Sequence, residues 1–181
     1  MIKEIFHEIY ALNLSTVICI IAVSIIVWSG LGVIFQKRMR LIGSIIVITL
    51  LIAVLYNTVF SRSSTEIDID LIPLSSFERA ISNPEIYRSM LMNVFLFVPL
   101  GLSLPYVIKG SLTKRIMITV LVGFVLSVSI ETIQFLCSIG MVETDDVICN
   151  TFGTLIGSSA YPLSALGIKT IKKGLTREEK G

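Results

Sequence analysis

Five long apolar runs dominate the chain, and short polar segments separate them. The runs cover residues 12–35, 41–60, 91–108, 116–136 and 147–168. Each is close to the ~20 residues that an α-helix needs to cross a hydrocarbon core about 30 Å thick. The pattern predicts an all-α fold, a polytopic bundle of about five transmembrane helices.

Composition agrees with a membrane protein. Of the 181 residues, 54% are hydrophobic and 15% are charged, and the mean hydropathy is +0.86. Soluble domains carry about 25% charged residues, so this composition argues against a soluble fold. No polybasic block of the kind that binds nucleic acid is present. Cys19, Cys137 and Cys149 lack the spacing of metal ligands, and no cofactor is predicted. Cys137 and Cys149 could pair, but free buried thiols are the favoured interpretation.

Basic residues are divided unequally between the two ends of the predicted bundle. Eleven follow the first, third and fifth runs, namely Lys37, Arg38, Arg40, Lys109, Lys114, Arg115, Lys169, Lys172, Lys173, Arg177 and Lys180. Four lie at the other end, namely Lys3, Arg62, Arg79 and Arg88. Because basic loops stay in the cytoplasm, this predicts a multi-pass protein with its N-terminus outside and its C-terminus inside.

The long polar segment 61–89 is predicted to lie outside, along the membrane interface. Residues 67–71 alternate polar and apolar side chains. Ser75–Glu78 has a capping-box pattern, which predicts a short helix at Ser76–Ser82. Asn83 and Pro84 are typical of the N-cap and first position of the next helix. Phe77, Ile81, Ile86 and Tyr87 make the segment amphipathic.

Polar residues inside apolar runs are the candidate functional residues. Glu131 lies roughly 7–8 Å inside the predicted outer end of the fourth span, where a carboxylate normally faces the bundle interior and has a partner. Six such side chains converge at the predicted outer face: Asn93, Glu131, Gln134, Asp145, Asp146 and Asn150. Arg79 and Arg88 lie on the same side as candidate counter-ions.

Structural roles are the alternatives for several of these residues. Asp145 and Asp146 would fall at the first two positions of a helix capped by Thr144, where carboxylates favour the helix dipole. Asn93 would donate an interhelical hydrogen bond. Pro99 and Gly101 would shape the third span. Gly153 and Gly157 have small-xxx-small spacing, which allows close approach of another helix, in this chain or in a partner.

Three motifs in order resemble the VanZ-like family. They are Asn93–Gly101 as N-x-x-x-F-x-P-x-G, Glu131–Gln134 as E-x-x-Q, and Thr144–Gly157 as a D-D-[VI]-x-x-N-[TS] element with its two glycines. The segment 71–74 is also similar to a family region, although Leu74 replaces an aromatic residue. The resemblance covers about residues 41–162. It implies a VanZ-like membrane domain at 41–168, preceded by an additional helix and turn at 1–40 and followed by a basic cytoplasmic tail at 169–181.

The resemblance implies a protein of the bacterial cell membrane, in a family whose namesake is associated with low-level teicoplanin resistance. Three functions stay open at this point. The outer polar cluster would bind a lipid headgroup, a cell-wall lipid precursor or the lipoglycopeptide without catalysis. Alternatively, Glu131, Asp145 and Asp146 would hold a divalent cation, and Arg79 or Arg88 a phosphate, in an enzyme acting on a lipid-linked phosphate. The third function is a small transporter, in which a homo-oligomer could supply enough helices, or a subunit of a larger assembly.

Overall fold

A computed structural model describes residues 14–60, 68–138 and 141–178. The elements in chain order are α1 (Leu14–Ile34), α2 (Met39–Phe60), β1 (Asp68–Asp70), α3 (Ser75–Ser82), α4 (Pro84–Val107), α5 (Leu112–Cys137), β2 (Met141–Glu143), α6 (Thr144–Ser158) and α7 (Ala160–Glu178). The fold is mainly helical, as predicted, and the two short strands were not predicted. Lys3, Arg62 and Lys180, which were part of the orientation argument, lie outside the described residues.

Three of the described helices, α1, α4 and α5, are long and apolar enough to cross a membrane. The segment Met39–Ala53 of α2 is a shorter apolar stretch. Large apolar side chains on α1, α2 and α5 are exposed, among them Ile26, Ile52 and Leu121, as expected for surfaces that contact lipid. The count of about five spans therefore stays a prediction beyond these three.

The helix α4 is the centre of the bundle. It contributes Phe97, Leu100 and Leu104 to one apolar cluster with Ile130 of α5. Its other side contributes Val98 and Leu102 to a second cluster, which also contains Val17, Ile21 and Ala160. The helix starts as predicted, because the Asn83 side chain accepts a hydrogen bond from Glu85 N at 2.9 Å and Pro84 is the first residue. It continues through both Pro99 and Pro105.

The strands join two distant segments of the chain at one end of the bundle. Asp68, Ile69 and Asp70 of β1 pair in parallel with Met141, Val142 and Glu143 of β2. The segment predicted to lie along the membrane interface is thus tied to the turn between α5 and α6. We call this end, formed by β1, α3 and β2, the strand end.

The predicted capping box before α3 is wrong. The helix begins at Ser75, and its N-cap position is Leu74, which has a left-handed backbone (φ 69°) and no capping hydrogen bond from its own side chain. The left-handed conformation costs about 1–2 kcal/mol for a residue with a Cβ atom. Contacts from elsewhere in the fold must therefore hold this turn in place.

The predicted fifth span is two helices. α6 ends at Ser158 and α7 begins at Ala160, so Ser159 interrupts the run 147–168. Pro162 explains the position of the break, because it lacks the N–H that would bond to the carbonyl of Ser158. α7 also continues to Glu178, so the segment predicted as a basic tail is helical over most of its length.

Candidate functional site

The buried face of α5 is a stripe of small and polar residues. Thr119, Gly123, Ser127 and Glu131 follow one another at a spacing of four, which places them on one side of the helix. Gln134 extends the stripe and is also buried. The opposite side carries exposed apolar residues such as Leu121 and Val125. A helix with this arrangement presents its polar side chains to the protein and its apolar side chains to lipid.

α6 and the residue before it pack against this stripe. We call this contact the polar seam, and its pairs are Gly123 with Thr154, Ser127 with Asn150, and Glu131 with Glu143. Asn150 Nδ2 donates to Ser127 Oγ at 2.8 Å. A Cβ atom on Gly123 would overlap the Thr154 side chain. At the strand end, Glu143 N donates to Glu131 Oε2 at 3.1 Å. The structure thus brings Glu131 to the start of α6, and the residue is 7% exposed.

α6 meets α4 through glycines on its other side. Cβ atoms on Gly153 and Gly157 would overlap the carbonyl oxygens of Val94 and Val98, and one on Gly101 would overlap that of Thr154. The small-xxx-small pattern therefore serves a contact within the chain. The alternative of a partner helix at this face is wrong.

Asp145 caps α3, a helix that starts 70 residues earlier in the chain. Its two carboxylate oxygens accept hydrogen bonds from Leu74 N at 2.6 Å and from Ser76 N at 2.7 Å. Asp145 is almost fully buried. These bonds stabilise the left-handed turn at Leu74. Thr144 is the first residue of α6 and Glu143 its N-cap position, so the prediction that Thr144 caps this helix is wrong by one residue.

Arg79 links β1, α3 and β2 in a group that we call the strand-end network (Asp70, Ser76, Arg79, Glu143 and Asp145). Its Nη2 atom lies 2.6 Å from Asp70 Oδ2, 2.9 Å from Ser76 Oγ and 3.3 Å from Glu143 Oε1. Arg79 was predicted to be a counter-ion of the candidate cluster, but its ion-pair partners are Asp70 and Glu143, which were not candidates. Arg88 is exposed and forms no salt bridge with the described residues.

The two acids that pair with Arg79 have opposite pKa shifts. Hydrogen bonds from Ser75 Oγ and Ile72 N, together with the charge of Arg79, lower the pKa of Asp70. Burial raises the pKa of Glu143 and outweighs the opposite effect of Arg79. The ionised form of Asp70 is therefore favoured by its surroundings, and that of Glu143 is disfavoured.

Several buried side-chain polar atoms lack a hydrogen-bond partner among the described residues, and those of the candidate cluster include Asn93 Nδ2, Gln134 Oε1 and Asn150 Oδ1. Each such atom costs about 1–3 kcal/mol. Val94 of α4 packs against Gly153 of α6, and Gly153 lies about one helical turn after Asn150. Asn93, the neighbour of Val94, therefore lies at a level of the bundle similar to that of Asn150. Asp146 is half-buried beside them at the start of α6. Unsatisfied groups at one level of a helical bundle are a feature of polar binding sites.

An apolar groove of about 640 Å³ lies on the side of α6 away from the polar seam. Its walls come from α3, α4 and α6, and they include Phe77, Ile81, Tyr87, Met90 and Phe152. Its size falls in the range of small-molecule sites. The amphipathic character of α3 was predicted, whereas the groove was not, because it depends on how three helices meet.

The carboxylates considered for a shared cation are not grouped as metal ligands. Among the described residues no three His, Cys, Asp or Glu side chains are arranged around a common point. Cys137 is exposed and Cys149 buried, and both are free thiols, so the expectation that both are buried is wrong for Cys137.

Sequence reasoning missed Ser127 and Thr154, although their spacing of four from Glu131 and Asn150 was a usable signal. Asp70 and Glu143 gave no signal, because short polar strands resemble loops.

These features define a class of protein, a polytopic helical membrane protein with a polar interior and a structured strand end. The model of the VanZ/LLP1 family matches residues 41–165, which is more than half of the chain, and the chain belongs to that family. Protein VanZ of Enterococcus faecium is 40% identical over 80 residues, which are 43% of this chain and 47% of that protein. The chain thus matches about half the length of this relative. No solved structure matches this chain.

Proposed function

We propose that the protein is a non-enzymatic component of the bacterial cell envelope that binds a lipid-like amphiphile at the outer membrane face. By this means it lowers susceptibility to lipoglycopeptides such as teicoplanin. Family membership supports the envelope role. The proposed orientation is supported by the sequence pattern, in which eleven Lys and Arg residues follow the first, third and fifth apolar runs and four lie in the other flanks.

The apolar groove carries the proposal. It is bounded by carbon atoms of α3, α4 and α6, and its occupant would be the hydrocarbon chain of the amphiphile. The groove opens beside the strand end, where the Arg79 side chain is 40% exposed and Arg88 is exposed. A polar or anionic headgroup would lie against these cations.

The polar seam supports the groove from behind. Glu131 and Asn150 fix the position of α6 against α5, and Asp145 fixes α3 at the edge of the groove. In this proposal Asp145 and Glu131 are positioning residues. Asn93, Gln134, Asp146 and Asn150 do not line the groove, and in this proposal they act on the ligand through the positions of α4, α5 and α6.

The test is a susceptibility panel on a deletion strain complemented with variants of the full chain. Ala80→Phe fills the groove, and Ser82→Phe places the same side chain on an exposed site of the same helix. We expect Ala80→Phe to leave the strain as sensitive to teicoplanin as the deletion, and Ser82→Phe to protect like wild type. Membrane levels are compared by immunoblot.

Two further arms refine this experiment. Glu131→Gln, at normal membrane levels, is expected to lose protection, because the amide that replaces the carboxyl group is a weaker acceptor for the Glu143 N–H. Protection should be greater against an acylated glycopeptide than against one without an acyl chain. Full protection by both Ala80→Phe and Glu131→Gln would refute the proposal.

A further inference from the structure

A second cavity, of about 270 Å³, lies at the opposite end of the bundle from the groove. We call it the basic-end cavity. The residues that matter for its chemistry are Gln36, Tyr106, Arg115, Tyr161, Ser164 and Ala165. They come from the α1–α2 turn and from α4, α5 and α7, so four separate segments meet around it. Neither the family match nor the proposed function assigns a role to this cavity.

Arg115 is held rigidly in the wall of this cavity. Its Nε donates to Gly110 O and its Nη1 to Pro105 O, both at 2.9 Å. Its guanidinium carbon lies 4.9 Å from the centre of the Tyr161 ring, a cation–π contact. Nη2 makes no hydrogen bond to any described residue. A guanidinium fixed in this way loses little entropy when it binds a planar or tetrahedral oxyanion.

Aromatic and hydroxyl side chains complete the wall. The rings of Tyr106 and Tyr161 meet edge to face, with centres 5.0 Å apart. The hydroxyl of Tyr106 contacts Ser164 Oγ, and Ser164 in turn bonds to the backbone of α1 at Ser29 O. These contacts fix the positions of the Tyr106 and Ser164 hydroxyl groups, which line the same cavity as Arg115.

Among the side chains that the structure describes, the surroundings of the cavity carry positive charge and no carboxylate. Lys37 and Arg38 follow α1, and Lys114 precedes Arg115 on α5. Every carboxylate whose side chain the structure describes lies on or beside the elements of the strand end, at the other end of α4 and α5. Arg115 forms no salt bridge within the described residues. An anion from outside the chain would therefore be the counter-charge.

We propose that the basic-end cavity binds the phosphate of an anionic membrane lipid, with Arg115 as the principal ligand. Met39, Ala165 and Ile168 give the cavity an apolar side, along which the glycerol and acyl carbons of a lipid would lie. Basic pockets between transmembrane helices on the cytoplasmic side are a recurrent form of anionic headgroup site. Free phosphate or glycerol phosphate has the same charged group but lacks the apolar part.

The test uses purified full-length protein in neutral detergent. Phosphatidylglycerol, phosphatidylcholine and glycerol 3-phosphate are added separately, and binding is followed by native mass spectrometry and by the shift in Tm. We expect phosphatidylglycerol alone to bind and to raise Tm. Arg115→Gln should weaken its binding at least about tenfold, whereas Lys114→Gln, which removes a neighbouring exposed charge outside the cavity wall, should weaken it much less.

Arg115 also donates hydrogen bonds to two backbone carbonyl groups, so Arg115→Gln can lose binding by misfolding. A second variant controls for this. Ala165→Leu fills the cavity while the hydrogen bonds of Arg115 remain, and it should also abolish the Tm shift. Wild-type binding of phosphatidylglycerol by Ala165→Leu would overturn the proposal. An equal response to phosphatidylcholine, or a full Tm shift with glycerol 3-phosphate, would overturn the assignment to an anionic lipid.

Discussion

α6 contacts its two main neighbours by different means. Toward α4 it presents Gly153 and Gly157, and backbone lies directly against backbone. Toward α5 it presents Asn150 and Thr154, whose side chains contact Ser127 and Gly123. Both faces are formed by the same 15 residues.

The difference shows two ways of joining helices where lipid removes the usual hydrophobic driving force. On the α4 side, close packing leaves no space for an added atom. On the α5 side, hydrogen bonds between side chains join the helices, and some hydrogen-bonding capacity is left over at Asn150. The first face is therefore suited to holding the fold, and the second can also serve a site.

The largest effect is expected at the glycine face. Gly153→Ala would push a methyl group into the carbonyl oxygen of Val94, and overpacking of this kind costs about 3 kcal/mol. Gly30→Ala is the matched control, because a Cβ there would meet none of the described atoms within 4 Å. Thermal unfolding in detergent measures both variants. Equal Tm values for the two would contradict the close packing of α4 and α6.

Removal of the Asp145 carboxylate should have the next largest effect. Asp145→Ala leaves the N–H groups of Leu74 and Ser76 without their acceptor, at a cost of about 1–2 kcal/mol. Amide hydrogen exchange at Ser76 should accelerate, since α3 loses its cap. Glu85→Ala removes an exposed acid near the same end and should leave the exchange rate unchanged. Slow exchange in Asp145→Ala would show that α3 is held by other contacts.

The polar seam should contribute less than the glycine face. A double-mutant cycle with Ser127→Ala and Asn150→Ala isolates their hydrogen bond of 2.8 Å. We expect a coupling energy of about 0.6 kcal/mol, the average for hydrogen bonds between helices in membranes, and no more than about 1.7 kcal/mol. Unfolding in mixed micelles by a denaturing detergent provides the measurement. A coupling energy of zero would mean that the two side chains act independently.

The smallest effects are expected from the two acids that pair with Arg79, and these effects differ in sign. The pKa of Asp70 is lowered, so its charge stabilises the fold above the unfolded pKa near 3.8, and this is lost as pH falls through the folded pKa. The pKa of Glu143 is raised above 4.5, so its charge destabilises the fold at pH 7, and protonation relieves this as pH falls. Asp70→Asn should lower Tm at pH 7, and Glu143→Gln should not. Melting curves between pH 3 and pH 7 provide the measurement. A larger loss of Tm at pH 7 in Glu143→Gln than in Asp70→Asn would contradict these pKa shifts.

Much of the bundle could be predicted from the hydrophobic pattern, for definite reasons. Long apolar runs determine where helices lie, and Asn83 with Pro84 determines where α4 begins. The break at Ser159 was missed, because apolar residues continue past it and Pro162 falls inside the run. The strands β1 and β2 were missed because each is three residues long, which is too short for periodicity to show.

The candidate site was predicted in part. Glu131 was recognised from the cost of a buried charge, and the structure gives it a partner at the start of α6. The cap from Asp145 to α3 could not be foreseen, since it joins residues far apart in the chain. Likewise, Arg79 was a plausible counter-ion, but its pairing with Asp70 and Glu143 depends on the parallel register of two strands.

The contact between α1 and α7 has a consequence for any shortened version of the protein. Ser29 Oγ donates to Ala160 O at 3.1 Å, Ser164 Oγ donates to Ser29 O at 3.0 Å, and Ala160 is completely buried. The family match begins at residue 41, after α1 has ended. A chain that begins at residue 41 would leave Ser164 and the Ala160 carbonyl without their partner Ser29 and would remove Gly32, Gln36 and Met39 from the wall of the basic-end cavity. A truncated variant should therefore be compared with the full chain for lipid retention as well as for yield.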